Sequence, residues 1–348
     1  MITAKLRQFK RVIGYRWYRF KMRHTHWCVT RSDGTGGFCV YGDTHAVTHF
    51  ARNYLGNMDD IVVRRGWHRS DFTSHMRKMA GKYGLAVASG QSVPAQVEAE
   101  ALNWPWLVPI TISLPATVAE YRKKLGRSAQ SDLRRINKQG FHLKITRAEA
   151  RLKEFFHRYY LPSMLKKHGA DAYLFTEKEL MEMLGDGAFL VEVWREDEWV
   201  SGVLCKHDGF EMRMMRAGWR DADESIYRQG ALSSMYWLTI TWCIEQGLKR
   251  VNLGGVPPYL EDGLLAYKSK WGLSLNYELC GFNSWRVWVD PKHAACRAFF
   301  ATHSVVVKNE TAQRFEVVSG RAREAVPCAE IHAQIETWRR IDGGGAGE

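Results

Sequence analysis

Tyr227–Gly272 reads YRQGALSSMYWLTITWCIEQGLKRVNLGGVPPYLEDGLLAYKSKWG, and how that stretch parses decides the fold. Leu232, Tyr236, Ile240 and Cys243 recur at helical spacing, and Leu238, Trp242 and Ile244 widen the stripe until the helix should be buried on most sides. Gly247 follows the last periodic residue and is placed as its C-cap. Arg250-Val-Asn-Leu is short and alternating, which predicts a strand. Gly254 and Gly255 come next, where a backbone without side chains lets another group approach closely. After Pro257-Pro258-Tyr259 a helix restarts near Glu261 and carries Lys268 and Lys270 on its last turns. A glycine turn, an apolar helix, a strand, a Gly/Pro loop and a lysine-bearing helix form the grammar of a small-molecule site. A plain αβα unit of any mixed domain has the same outline.

Working upstream, the pattern predicts a Pro-bounded strand over Leu107 to Leu114, a helix from Ala116 to Lys138 and a strand from Phe141 to Thr146. Helices over Glu149 to Lys167 and Glu177 to Leu184 precede a meander of Ala188 to Trp194, Trp199 to His207 and Phe210 to Ala217, with turns at Glu196-Asp197 and Asp208-Gly209. Downstream, Ser274 to Phe282 reads as one more strand. Helices, an antiparallel meander, then helix, strand, helix and strand make an α+β order rather than a doubly wound one. Nearer the N-terminus, Phe38 to Tyr41, Ile61 to Arg64 and Leu85 to Ala88 read as strands, and Ser70 to Tyr83 as a helix capped by Ser70 or Asp71. The last 60 or so residues show weaker periodicity and end in a Gly-rich tail from Gly343 that is expected to lack order.

The chain has 348 residues, enough for one large core or two medium ones. Its 45% apolar and 25% charged content is that of an ordinary globular protein. The net charge of +13 is not ordinary, and implies attraction to something anionic: RNA, an anionic lipid surface, a phosphorylated substrate or an acidic carrier. Seven cysteines without CxxC spacing argue against a disulfide framework or a zinc ribbon and for a reducing, cytoplasmic location. The most apolar stretch, Ala101 to Ala119, is broken by Pro105, Pro109 and Pro115, so no spanning helix is expected. Nor is a secretory signal, since no continuous apolar run follows the basic start.

Residues 1–32 contain no acidic side chain, and the first 23 hold eight Lys and Arg. Ile2, Leu6, Phe9, Ile13, Trp17 and Phe20 fall along one helical face, the composition of an interfacial helix on anionic lipid at the inner face of the cytoplasmic membrane. A basic arm on RNA, or a helix docked on its own domain, would read the same way. His24, His26, His45 and His49 invite a metal reading, but His45 and His49 have no cysteine or carboxylate at a recognised ligand spacing. No metal is therefore expected.

Three further segments carry a family resemblance. Ser70 to Pro94, including DFTSHMRKMAGKYGLAVASGQSVP, is similar to a helix of basic residues, then Ala-Lys-x-x-Gly, a strand and a proline. Tyr121-Arg-Lys-Lys-Leu with Leu133-Arg-Arg-Ile-Asn-Lys-Gln-Gly is similar to an R-x-x-I-R-K-A-x-K-x-G helix leading into a strand. Gly263-Leu-Leu-Ala-Tyr-Lys-Ser-Lys-Trp-Gly is similar to G-L-x-x-F-K-x-x-F-G, with Tyr267 and Trp271 in place of the phenylalanines. In this order, over about residues 70–285, they resemble the FemABX branch of the GCN5-related N-acyltransferase (GNAT) superfamily, whose members transfer amino acids from aminoacyl-tRNA to peptidoglycan precursors.

The resemblance implies two tandem GNAT-like halves, the first degenerate: 24–115 and 116–290, preceded by the basic helix 1–23 and followed by a C-terminal extension, 291–348. It implies an N-acyltransferase that forms an amide on a primary amine of a cell-envelope or lipid-linked acceptor. The donor would be aminoacyl-tRNA or an acyl thioester of coenzyme A or acyl carrier protein, a co-substrate with no tightly bound cofactor. Arg228-Gln-Gly-Ala does not meet the Arg/Gln-x-x-Gly-x-Gly/Ala spacing of the thioester-using branch. A non-enzymatic basic adaptor for RNA or membrane, on a degenerate acyltransferase fold, is the alternative.

In such chemistry the acceptor amine is the nucleophile, and the protein orients it, removes a proton and stabilises an oxyanion. Lys268 matches the family lysine and is expected to meet phosphate or the oxyanion. Arg127, Arg134, Arg135 and Lys138 recur at helical spacing and suit a diphosphate or RNA backbone, or form a solvated basic face. Gly254 and Gly255 would admit the substrate, and Tyr236 and Tyr259 would position the acceptor. Asp262, near the lysine in sequence, and Glu211, on a meander strand, are the candidates for general base.

Overall fold

A computed structural model describes residues 25–32, 37–41, 44–55, 61–67, 71–89, 93, 100–169, 174–280, 284–323 and 334–341. The basic segment 1–23 and the tail from Gly343 lie outside the described residues. The fold is mixed α/β and divides into two compact units, 1–108 with 257–262 and 277–348, and 109–256 with 263–276.

The first unit begins with β1 (Thr25–Arg31), β2 (Gly37–Tyr41), α1 (Thr44–Phe50), a π turn over Ala51–Leu55, β3 (Ile61–Trp67), α2 (Phe72–Tyr83), β4 (Leu85–Ser89) and β5 (Leu102–Pro105). Of the two predicted caps, Asp71 is the one used: its carboxylate accepts from Ser74 N at 3.0 Å. Gly84 ends the helix at φ +88°, a conformation that favours glycine.

The second unit opens with β6 (Val108–Ser113), α3 (Val118–Lys124), α4 (Arg127–Gln139), β7 (Phe141–Thr146), α5 (Glu149–Phe155), a π turn over Phe156–Tyr160, α6 (Leu161–His168) and α7 (Glu177–Gly185). The meander follows as β8 (Phe189–Arg195), β9 (Glu198–His207) and β10 (Glu211–Trp219), and then come α8 (Glu224–Arg228), α9 (Ala231–Glu245), β11 (Arg250–Val256), α10 (Gly263–Ser269) and β12 (Ser274–Leu275). The predicted helix over 116–138 is two helices, because Leu125 turns to ψ 134° to bury its side chain and Gly126 restarts the chain as the next N-cap. The predicted strand over 274–282 keeps only Ser274–Leu275.

The C-terminal segment is not an extension. Its β13 (Ser284–Val289), α11 (Ala294–Thr302), β14 (Val305–Asn309), β15 (Arg314–Ser319) and β16 (Trp338–Arg340) return to the first unit and complete a nine-stranded sheet of order β16-β15-β14-β5-β13-β4-β2-β1-β3. The boundary expected at 115/116 moves to 108/109, since β5 pairs with β13 while β6 joins the other sheet. Among the described residues no helix is long and apolar enough to cross a membrane.

The second sheet has seven strands in the order β12-β6-β11-β10-β9-β8-β7. Strands β7 to β10 are antiparallel neighbours, of which β8 to β10 are the predicted meander, and β10 meets β11 in parallel. Helix α9 is nearly buried, with eleven of its fifteen residues hidden. Gly218 of β10 packs closely on the π turn over Phe156–Tyr160: a Cβ there would lie 2.3 Å from Tyr159 O.

Candidate active site in the second unit

The parallel ladder of β10 and β11 stops early. Only Glu211–Arg213 pair with Arg250–Asn252, although β10 runs on to Trp219 and β11 to Val256. Glu211 fastens the paired end. Its carboxylate accepts from Arg213 Nε at 3.1 Å, from Asn252 Nδ2 at 3.3 Å and from Arg250 Nε. A buried carboxylate held by two guanidiniums is a brace, so Glu211 is not available as a base. Past that point β10 carries a bulge at Met215, skipped between Met214↔Cys205 and Arg216↔Leu204, and Gly254 of β11 turns to φ +75°.

Lys268 occupies this opened edge. It is 5% exposed, and its Nζ donates to Leu253 O at 2.6 Å and to Gly255 O at 3.2 Å. Both Met214 O and Lys268 Nζ come within 4 Å of where a Gly254 Cβ would stand, so the ammonium lies where the two strands part. The lysine picked from the sequence is thus bound to the strand backbone.

Two residues further on, Lys270 reaches elsewhere. Its Nζ pairs with Asp132 of α4, lies 3.5 Å from Ser233 Oγ in the first turn of α9, and sits 3.9 Å from the centroid of the Tyr267 ring. Ser233 Oγ donates to Asp132 at 3.0 Å and shares a 3.1 Å hydrogen bond with Tyr267 Oη. Burial lowers the Lys270 pKa; Asp132 opposes that shift and the Arg135 charge adds to it. Burial likewise pushes the Tyr267 phenol far above its usual range, so it remains a proton donor.

This cluster walls one side of a cavity of about 400 Å³, whose other lining includes Arg135, Arg228 and Gly230. Gly230 stands at φ +101° as the N-cap of α9 and offers no side-chain cap, so first-turn N–H groups face the same region as the two arginines. Arg135 Nη1 donates to Arg228 O at 3.2 Å, which fixes its guanidinium there. The cavity therefore carries two guanidinium groups that favour an anion and, in the same lining, a largely buried amine beside a carboxylate.

Of the four basic residues expected on α4, Arg135 alone lines this cavity. Arg127, Arg134 and Lys138 are exposed, and they share one solvated face because Ala129, Leu133 and Ile136 take the buried one. Tyr236 is core: it stacks on Trp271 at 6.2 Å and meets Tyr267 edge-on at 5.6 Å. Gly254 and Gly255 belong to the opened edge, as described above. Tyr259 and Asp262 fall in the segment assigned to the first unit, where buried Tyr259 Oη meets His49 Nε2 at 2.9 Å, so neither belongs to this site. Sequence reasoning missed Asp132, Ser233 and the role of Lys270. The one available signal was the pair Lys268 and Lys270, whose two-residue separation at helical spacing turns them in different directions, although the helix itself ends at Ser269.

No protein-family model matches the chain, and neither does any curated protein. Solved structures similar to it include FemX, at 12% identity over 74% of this chain and 81% of that one, with a TM-score of 0.39. The L-PGS structure from Bacillus licheniformis is 12% identical over 75% of this chain and 83% of that one, with a TM-score of 0.38. A tandem GNAT protein from the clavulanic acid biosynthesis pathway is 11% identical over 73% and 74%, with a TM-score of 0.32.

Proposed function

We propose that the second unit is an acyltransferase that moves an acyl or aminoacyl group onto a primary amine. The observation that carries this reading is the parted parallel pair β10/β11, joined through Lys268 of α10 to a largely buried lysine, Lys270, that follows the end of that helix and lines a cavity. A parted strand edge offers backbone hydrogen bonds to an extended donor arm. The guanidinium groups of the cavity suit the phosphate of such a donor, whether the 3′ end of a tRNA or a carrier phosphopantetheine.

In the reaction the acceptor amine attacks the donor carbonyl carbon, and the donor's ester or thioester bond breaks to release its oxygen or sulfur. Lys270, whose pKa burial lowers, takes in its deprotonated form the proton released from the amine. Asp132 and Ser233 hold Lys270 in position, and the Tyr267 hydroxyl, kept protonated by burial, supplies a hydrogen bond to the developing oxyanion or to the leaving oxygen or sulfur. The resemblance in the sequence supports a cell-envelope acceptor. Residues 1–23 would hold the chain at an anionic membrane, where a lipid-linked amine is within reach.

The test is turnover. The full chain is incubated with aminoacyl-tRNA and, separately, with acyl thioesters of coenzyme A and acyl carrier protein, each with lipid-linked amine acceptors. Amide product with one donor class is expected. Absence of product with every donor, together with salt-sensitive RNA binding, would replace the enzyme by a basic adaptor.

A further inference from the structure

The first unit holds a cluster that the transferase reading does not use. His26 and Cys28 are two residues apart on β1 and so project from the same face. The antiparallel register sets Cys39 of β2 directly opposite Cys28. One donor atom from each of the three lies within 4.8 Å of the others, and the two Sγ atoms are 2.9 Å apart. Cys39 is fully buried, His26 nearly so and Cys28 half-buried.

A second observation shows that the imidazole is given its place by the sheet. Gly66 of β3 stands opposite His26, and a Cβ there would lie only 2.2 Å from His26 Nε2. The ring fills the space that a side chain at 66 would occupy.

We propose that His26, Cys28 and Cys39 form a binding site for a borderline-soft divalent cation, zinc above all. One imidazole and two thiolates are a donor set suited to that ion, and with a neutral imidazole they balance its charge. Zn–S bonds of about 2.3 Å at tetrahedral angles put the sulfurs about 3.8 Å apart, so uptake separates them by about 0.9 Å, within reach of a small χ1 rotation. Three protein donors leave one position for water. The site escapes a search for ligand motifs because His-x-Cys and a lone Cys eleven residues further on form no recognised spacing; the strand register brings them together.

The test is titration of the full chain, under a phosphine reductant, with Co(II) and then Zn(II). Expected are one equivalent of Co(II), intense thiolate-to-cobalt charge transfer, and bleaching by Zn(II). Cys28→Ser and His26→Gln should each weaken binding about 100-fold or more, since mutations merely beyond the ligand shell cost 10–100-fold, while Cys243→Ser should bind as the parent does. Far-UV circular dichroism checks that each variant is folded. In the unmutated chain, Zn(II) should also slow alkylation of Cys28, read by peptide mapping. Cobalt uptake without charge transfer, parental affinity in folded Cys28→Ser, or an alkylation rate indifferent to Zn(II) would overturn the proposal.

Discussion

Lys268→Met separates a structural lysine from a catalytic one. The substitution keeps most of the aliphatic stem but removes the ammonium, which leaves Leu253 O and Gly255 O without their bonds at 2.6 and 3.2 Å. Hydrogen bonds from a charged donor contribute about 1.5–3 kcal/mol each, so about 3–6 kcal/mol is the ceiling. Relief of the buried ammonium's desolvation returns part of that, while each buried carbonyl left unsatisfied costs about 1–3 kcal/mol. We expect a loss of about 3 kcal/mol, a large share of the 5–15 kcal/mol typical of a folded domain. Urea unfolding gives the midpoint, and hydrogen exchange over β11 gives the local opening of the strand; both should move, with the urea m-value unchanged. Parental stability and unaltered exchange in β11 would refute the bracing role. If that stable variant also lost turnover on the order of 10²-fold, the lysine would act on the reacting atoms.

Other perturbations test the remaining readings. Asp132→Asn removes the charge that opposes the lowering of the Lys270 pKa, so the acid limb of the pH–rate profile should move to lower pH; an unmoved limb would remove Lys270 as the proton acceptor. Because folding lowers this pKa, the folded state binds fewer protons, and stability should rise with pH between the folded value and the ordinary lysine value, the penalty being complete below the folded one. Gly218→Ala puts a methyl 2.3 Å from Tyr159 O and 2.4 Å from Tyr159 C, backbone atoms that cannot swing away, and should cost about 3 kcal/mol in urea unfolding; a loss under about 0.5 kcal/mol would show that the π turn yields freely. Removal of residues 1–23 should weaken co-sedimentation with anionic vesicles in a salt-dependent way, each basic residue contributing about 1 kcal/mol; equal binding by both chains would end the membrane role given to that segment.

What the sequence disclosed followed from how polar faces are distributed. Helix α9 was legible because its apolar residues run round most of the cylinder. The meander was legible because Glu-Asp and Asp-Gly turns divide strands of ordinary length. Strands β14 and β15 were not, since VVV at 305–307 and VV at 317–318 are buried without the period-two pattern that marks a strand with one wet face. The break at Leu125 was hidden by helical periodicity that continues on both sides of it, although Gly126 was a visible cue. At the site, the family-like motif singled out Lys268, and Lys270 was passed over because its partner Asp132 lies 138 residues away. Glu211 was taken for a base because a strand carboxylate in sequence does not reveal the arginines that hold it.

The two lysines also explain why so short a helix is well placed. Helix α10 has seven residues, too few to form alone, since nucleating the first turn costs more than a few hydrogen bonds return. Its position is set from outside by Lys268 on the β11 carbonyls, by Lys270 on Asp132, and by the Tyr121 hydroxyl on Trp271 O just past its end. Two of these ties lead to parts that the proposed reaction uses: the parted strand edge and the amine in the cavity. A donor that hydrogen-bonds to β11 must compete with Lys268 for Leu253 O and Gly255 O, and any shift of that lysine carries α10, and with it Lys270, relative to Asp132. In the proposed reaction, donor binding and the protonation of Lys270 would therefore be linked through one turn of helix. Changes at Tyr121 or Trp271 therefore act on both at once.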